Sequence, residues 1–173
     1  MTITPHILTG AALASLLPAS PHSMRMLGFL VGFGSHYILD AAPHWERIYG
    51  ARYNDELPAD YGRWPKHVTT QSLVDVLIGS ILFLTILFVV VPDPIKVCVC
   101  LGGIGAILPD LMDNVPWWSK RTKRLLVWRY LAKLHHWLHM NYDLQRKLPS
   151  LLGLFTQLAV IIIALLILMR HYA

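Results

Sequence analysis

Two apolar runs, Val68 to Val91 and Leu148 to Met169, constrain this chain more than any other feature. Each is long enough for a helix that crosses about 30 Å of hydrocarbon. A bilayer offers no water to backbone N–H and C=O groups, so a crossing helix must satisfy them internally. Composition agrees: 55% of the residues are hydrophobic and 14% charged, against about a quarter charged in soluble domains. The expected fold class is all-α, a polytopic membrane protein forming one transmembrane domain over residues 1–173.

Three weaker runs, Ile3 to Leu17, Met24 to Ala42 and Ile95 to Met112, carry polar residues or glycines. Flanked by clear spans, they read as helices packed inside a bundle, where small residues such as Gly102, Gly103 and Gly105 let backbones approach. The expectation is about five transmembrane helices. The N-terminus lacks a basic n-region and a small-residue cleavage site, so its first apolar run is expected to be retained. Cys98 and Cys100 lie two apart in an apolar helix, on different faces, and do not pair.

The stretch from Trp117 to Lys147 is strongly basic, with Asp143 its only acid, and has no Gly or Pro from Ser119 to Leu148. It predicts a basic interfacial helix running into the last span. Basic loops stay in the cytoplasm, which places this stretch inside with Arg47, Arg52, Arg63 and Lys66. Helix parity then puts the N-terminus inside and the C-terminus outside. All six tryptophans fall on that inner side, as an interfacial belt would. The net charge of +5 therefore reads as topology and attraction to anionic headgroups. Membrane lipids are the expected partners, and nucleic acid is not; a bacterial inner membrane is the expected location. Asp40-Ala-Ala-Pro43-His-Trp45 also echoes Asp113-Asn-Val-Pro116-Trp-Trp118, so an internal helix-pair repeat is a candidate.

On this topology the ionisable residues gather at one level. His6 opens the first helix. His36, Asp40 and His44 form a stripe at the end of the second, spaced i, i+4, i+8. His67 opens the third, with Asp75 about 12 Å deeper at 1.5 Å per residue. Asp110 and Asp113 end the fourth, and His135, His136 and His139 lie on the approach to the fifth. Each has a bland reading: His6 as a buried hydrogen-bonding partner, His36 paired with Asp40, Asp110 as a cap after Pro109, His67 and His44 at the interface. Together those readings need five coincidences of depth. Buried carboxylates are costly and repel one another, and a divalent cation relieves both problems. Zinc or manganese is the expected ion, with enough ligands for two. Other catalytic patterns are poor: Ser35 lacks a nucleophile elbow, and there is no Walker loop, G-x-G-x-x-G or C-x-x-C.

Thr4-Pro-His6-Ile-Leu-Thr-Gly10, Gly105-Ala-Ile-Leu-Pro109-Asp110-Leu-Met-Asp113 and His135-His136-Trp-Leu-His139 together resemble the membrane-bound metal-dependent hydrolases of the LexA-regulated inner-membrane type. The resemblance covers roughly residues 4 to 140. It implies that His6, Asp110, Asp113, His135, His136 and His139 are metal ligands. The family's aspartates stand two apart and its histidine segment reads H-R-x-x-T-H-S; here the aspartates are three apart and that Arg, Thr and Ser are missing.

The expected function is hydrolysis of an amphiphilic, phosphoester-containing lipid at the cytoplasmic face. The metal set is His6, His36, Asp40, Asp75, Asp110, Asp113, His135, His136 and His139. A water acidified by the metal would attack, His67 or His44 would relay protons, and Arg121, Lys123, Arg124 and Arg129 would hold an anionic headgroup. The rival is a metal-ion or proton carrier using the same cluster. A carrier needs a polar path to the other face, and beyond Asp75 the third helix offers only Ser80 and Thr85.

Overall fold

The computed structural model describes residues 2–18, 22–42, 44, 66–140 and 150–171, and all regular structure among them is helical. The helices are α1 (Ile3–Ser15), α2 (His22–Ala41), α3 (Lys66–Val89), α4 (Asp93–Asn114), α5 (Pro116–Thr122), α6 (Leu126–Met140) and α7 (Ser150–Met169). Each of the five apolar runs is thus a helix. Among the described residues, three helices are long and apolar enough to cross a membrane, through Ser72–Val89, Asp93–Asp113 and Leu151–Met169. This is a membrane protein with three such spans where five were expected.

The other two fall short for different reasons. Helix α1 has 13 residues, about 20 Å at 1.5 Å per residue. Helix α2 is long enough at 20 residues, but His22, Arg25, His36 and Asp40 dilute its apolar character. Helix α1 is enclosed by its neighbours, whereas α2 keeps Met26, Leu30 and Ile38 exposed. Helix α1 packs against α2, α3, α4 and α7, and its Leu8, Ala11 and Ala14 are fully buried. A helix wrapped by neighbours need not present a lipid-compatible surface along its whole length. The spans show the opposite pattern: Leu73, Leu77, Ile81, Leu84 and Phe88 of α3 are exposed, as are Leu151, Phe155, Ile162 and Leu166 of α7. That much contiguous apolar surface suits hydrocarbon rather than water.

The centre of the bundle is built on small residues. A Cβ at Gly10 of α1 or Gly32 of α2 would run into the Gly102 carbonyl of α4. These three backbones are therefore in contact, the close approach that association in lipid relies on. Around them Ile7, Leu8, Ala11, Phe83, Leu87 and Val99 form one apolar core.

The basic stretch departs from expectation, being broken into α5 and α6. The bonds Lys123 N–H to Ser119 O, Arg124 N–H to Arg121 O and Leu125 N–H to Thr122 O tighten and end the first helix. The Thr122 hydroxyl donates to Met112 O at 3.1 Å, folding α5 back onto α4. Four bases within Lys120 to Arg124 would repel one another on a continued helix. Residues 141–149 and the loop from Trp45 to Pro65 lie outside the described residues. Of the tryptophan belt, Trp118 and Trp137 are exposed, but Trp128 is half-buried and turned into the protein.

Candidate metal centre

Four helices converge on Asp40. Its Oδ1 lies 3.1 Å from His6 Nε2 of α1. Its Oδ2 lies 2.9 Å from His36 Nε2, one turn earlier on α2, and 3.1 Å from His135 Nε2 of α6. Asp110 and Asp113, at the end of α4, close the group: Asp110 Oδ1 is 3.6 Å from His135 Nε2, and Asp113 Oδ2 is 2.8 Å from His135 Nδ1. His6, His36 and Asp40 have no solvent exposure, and His135 is 5% exposed.

Local sequence explains the arrangement. The i, i+4 spacing puts His36 and Asp40 on one stripe of α2. Pro109 inside α4 cannot donate to the helical ladder and loosens it, one turn from the Ala106 carbonyl that accepts from His36. Asp40 and Asp113, the two aspartates of the sequence echo, end α2 and α4 at the same level and grip His135 from either side.

Counting protons shows what the group can do. The Ala106 carbonyl, 2.7 Å from His36 Nδ1, can only accept, so Nδ1 carries the hydrogen. The Asp113 carboxylate fixes the Nδ1–H of His135 in the same way. In the neutral imidazoles both Nε2 atoms are then bare lone pairs. They face each other at 3.2 Å and both face Asp40 Oδ2. Three lone pairs cannot converge unless a proton or a cation lies among them. At His135 burial alone would lower the pKa, but hydrogen bonds to Asp113 and Asp40 and the Asp110 and Asp40 charges outweigh burial and push it up to about 10.

A divalent ion satisfies the same lone pairs. The edges of the His36–Asp40–His135 triangle, 2.9, 3.1 and 3.2 Å, compare with about 3.0 Å in an octahedron and about 3.4 Å in a tetrahedron whose ligands stand roughly 2.1 Å from the ion. The partners beyond the ligands are of the orienting kind, a backbone carbonyl behind one histidine and a carboxylate behind the other. A second trio, His6, His36 and Asp110, is close enough for an ion as well. His36 has only Nε2 to offer, so the trios compete for it, and two ions would need Asp40 as a bridge. The residues present fit a divalent metal.

Other expected site residues fall elsewhere. Asp75 lies apart from the contacts of the cluster and holds the start of α1. Its Oδ2 accepts from Ile3 N–H at 2.6 Å and Thr4 N–H at 3.3 Å, and its Oδ1 from the Thr4 hydroxyl at 2.7 Å. Thr2 supplies no side-chain cap there, so a carboxylate from α3 satisfies donors that α1 cannot. His44 is buried, and its Nδ1–H donates to Ala42 O at 2.8 Å, a local bond. Lys123 Nζ lies 3.4 Å from Asp113 O and 4.0 Å from its Oδ1, so it leans on the cluster. Arg121, Arg124 and Arg129 are exposed. The side chains of His67, His136 and His139 lie outside the described residues.

Sequence reasoning missed Ala106, whose carbonyl orients His36; Pro109 three residues on was the only available signal. It also missed Arg170, whose guanidinium donates to Ser15 O at the far end of α1 at 3.0 Å. No family model matches this sequence, and comparison with curated proteins and with solved structures finds no match either.

Proposed function

We propose that this chain is a membrane-embedded, metal-dependent hydrolase acting on an amphiphilic phosphoester. The observation that carries the reading is the convergence of His36 Nε2, His135 Nε2 and Asp40 Oδ2 within 3.2 Å, with both histidines oriented from behind. His36, Asp40 and His135 would hold the ion, zinc or manganese by ligand type, with His6 and Asp110 completing the set or holding a second. When bound, such an ion supplies Lewis-acid polarisation and a water acidified toward neutrality. Asp113 keeps the His135 ring in register, and the Ala106 carbonyl does so for His36. Arg121, Arg124 and Arg129, exposed on the basic helices, suit an anionic headgroup at the surface.

The carrier reading fares worse. Ile7, Leu8, Ala11, Leu87 and Val99 pack as an apolar core on the other side of the site, where a transit path would need polar groups. On topology, α1 and α2 are also read as crossing. The first turn of α1 meets Asp75, and its last turn meets Cys98, near the start of α4, and Arg170, beyond α7. The basic helices argue for this face being cytoplasmic.

The test is a paired assay of purified protein: phosphate release from a panel of phospholipids and prenyl phosphates, and metal flux in proteoliposomes. Hydrolysis by wild type that is lost in Asp40→Asn supports the reading. Metal flux without hydrolysis across the panel reverses it.

A further inference from the structure

Helix α6 has three sides. Among its described side chains His135 alone is buried, and Trp128, Leu131, Ala132 and Leu138 share that inner side half-buried. Leu126, Val127, Tyr130, Leu134 and Trp137 are 42 to 71% exposed. At about 100° per residue these five fall within an arc of about 100°, one apolar stripe turned away from His135. Arg129 and Lys133, one turn apart and exposed, border the stripe, and Arg121 and Arg124 are exposed just before the helix.

The contacts of α6 fix its level. His135 Nδ1–H donates to Asp113 Oδ2 at 2.8 Å, and Asp113 is the last residue of the α4 span, Asp93–Asp113. A helix bonded to the end of a span lies where hydrocarbon gives way to headgroups. There, an apolar stripe bordered by bases is the surface that an interfacial helix presents to anionic lipid, with Tyr130 and Trp137 as interfacial aromatics. A second copy of this chain suits the stripe less well, because a two-fold contact would bring two sets of Arg129 and Lys133 together.

We infer that an anionic bilayer surface is the partner of this stripe and seats α6, so that His135 fully reaches the metal centre only when α6 lies on that surface. The seating rests on the metal centre of the proposed function and adds its regulator, the charge of the lipid. One helix carries the ligand on one side and the stripe on the other, so whatever lifts the stripe moves the ligand. Inward, α6 is held by His135 and by the half-buried side, where Trp128 meets Phe33 at 6.4 Å between ring centroids. Its larger apolar area faces outward.

The experiment measures zinc affinity of wild type, of the charge pair Arg129→Gln with Lys133→Gln, and of the apolar pair Tyr130→Ser with Trp137→Ser. Each is held in detergent and in lipid nanodiscs containing phosphatidylglycerol. All four side chains are exposed and turned away from the cluster, yet each pair of changes should weaken zinc binding about tenfold in the anionic discs. Comparison within one lipid composition cancels the zinc that an anionic surface gathers by itself. In uncharged detergent the charge pair should match wild type, since no anionic surface is there to lose; a structural role would weaken it equally in both. In the same discs a spin label on Leu134→Cys, with Cys98 and Cys100 replaced by alanine, should meet dissolved oxygen more than an aqueous nickel chelate. A label open to the chelate leaves the stripe in water, and one shielded from both means that protein covers it; either overturns the seating. Wild type that takes up no zinc in any medium overturns the metal reading and this inference with it. Wild type that holds zinc no better in anionic discs than either pair overturns this inference alone.

Discussion

The Asp75 carboxylate, on α3, caps a helix 71 positions away in sequence: its Oδ1 accepts the Thr4 hydroxyl and its Oδ2 the Thr4 N–H. At the other end of α1, Arg170 from beyond α7 donates to Ser15 O. An anion thus meets the positive end of the α1 dipole and a cation its negative end. Two spans hold this short helix between them, and with it His6.

Asp75 should therefore behave as a cap and not as a ligand. Asparagine can still accept N–H bonds, so Asp75→Asn should keep its metal and lose little stability. Asp75→Ala should lose about 1–2 kcal/mol, and more where lipid denies the freed donors water. Thermal unfolding and metal content, measured on both variants, decide it; loss of metal in Asp75→Asn would restore Asp75 to the ligand set.

Single changes in the triangle should empty it. His36→Ala and Asp40→Ala should each bring bound metal well below one equivalent, because each removes a ligand and leaves charge or lone pairs uncompensated. His171→Ala, at the far end of the bundle, should leave metal content intact. Elemental analysis of protein purified without chelator reads this directly.

Metal uptake should release a proton. Against burial, Asp113 and Asp40 push the His135 pKa up to about 10, so at neutral pH an incoming ion is expected to displace a proton. About one proton per ion is expected, and affinity should fall as pH falls, since ligands must be deprotonated to bind. Calorimetry in buffers of different ionisation enthalpy gives the count. Binding without proton release would mean that His135 is not a ligand.

Topology can be read at the turn after α1. With Cys98 and Cys100 replaced by alanine, a cysteine at Leu16 should react with an impermeant reagent applied from outside if α1 and α2 both cross. Labelling from the cytoplasmic side alone would leave α3, α4 and α7 as the only spans.

The helices themselves were legible in the sequence, because hydrocarbon imposes length and apolar content on any segment that enters it. Each of the five apolar runs matches a helix to within three residues at either end. The gathering of His6, His36, Asp40, Asp110, Asp113 and His135 at one level followed as well, since depth along a span is simple arithmetic. Depth says nothing about azimuth. Asp75 lies at a depth that suits a ligand, yet its side chain turns to the α1 N-terminus, where free N–H groups attract a carboxylate more directly. The break between α5 and α6 came from tertiary bonds, above all Thr122 to Met112 O, and no Gly or Pro announced it. The tautomers of His36 and His135 depend on what stands behind each ring. One of those partners, the Ala106 carbonyl, is backbone that every residue carries. The sequence by itself determined which groups could meet; the tertiary structure decided which of their atoms face one another, because that depends on helix rotation and on close approach at Gly10, Gly32 and Gly102.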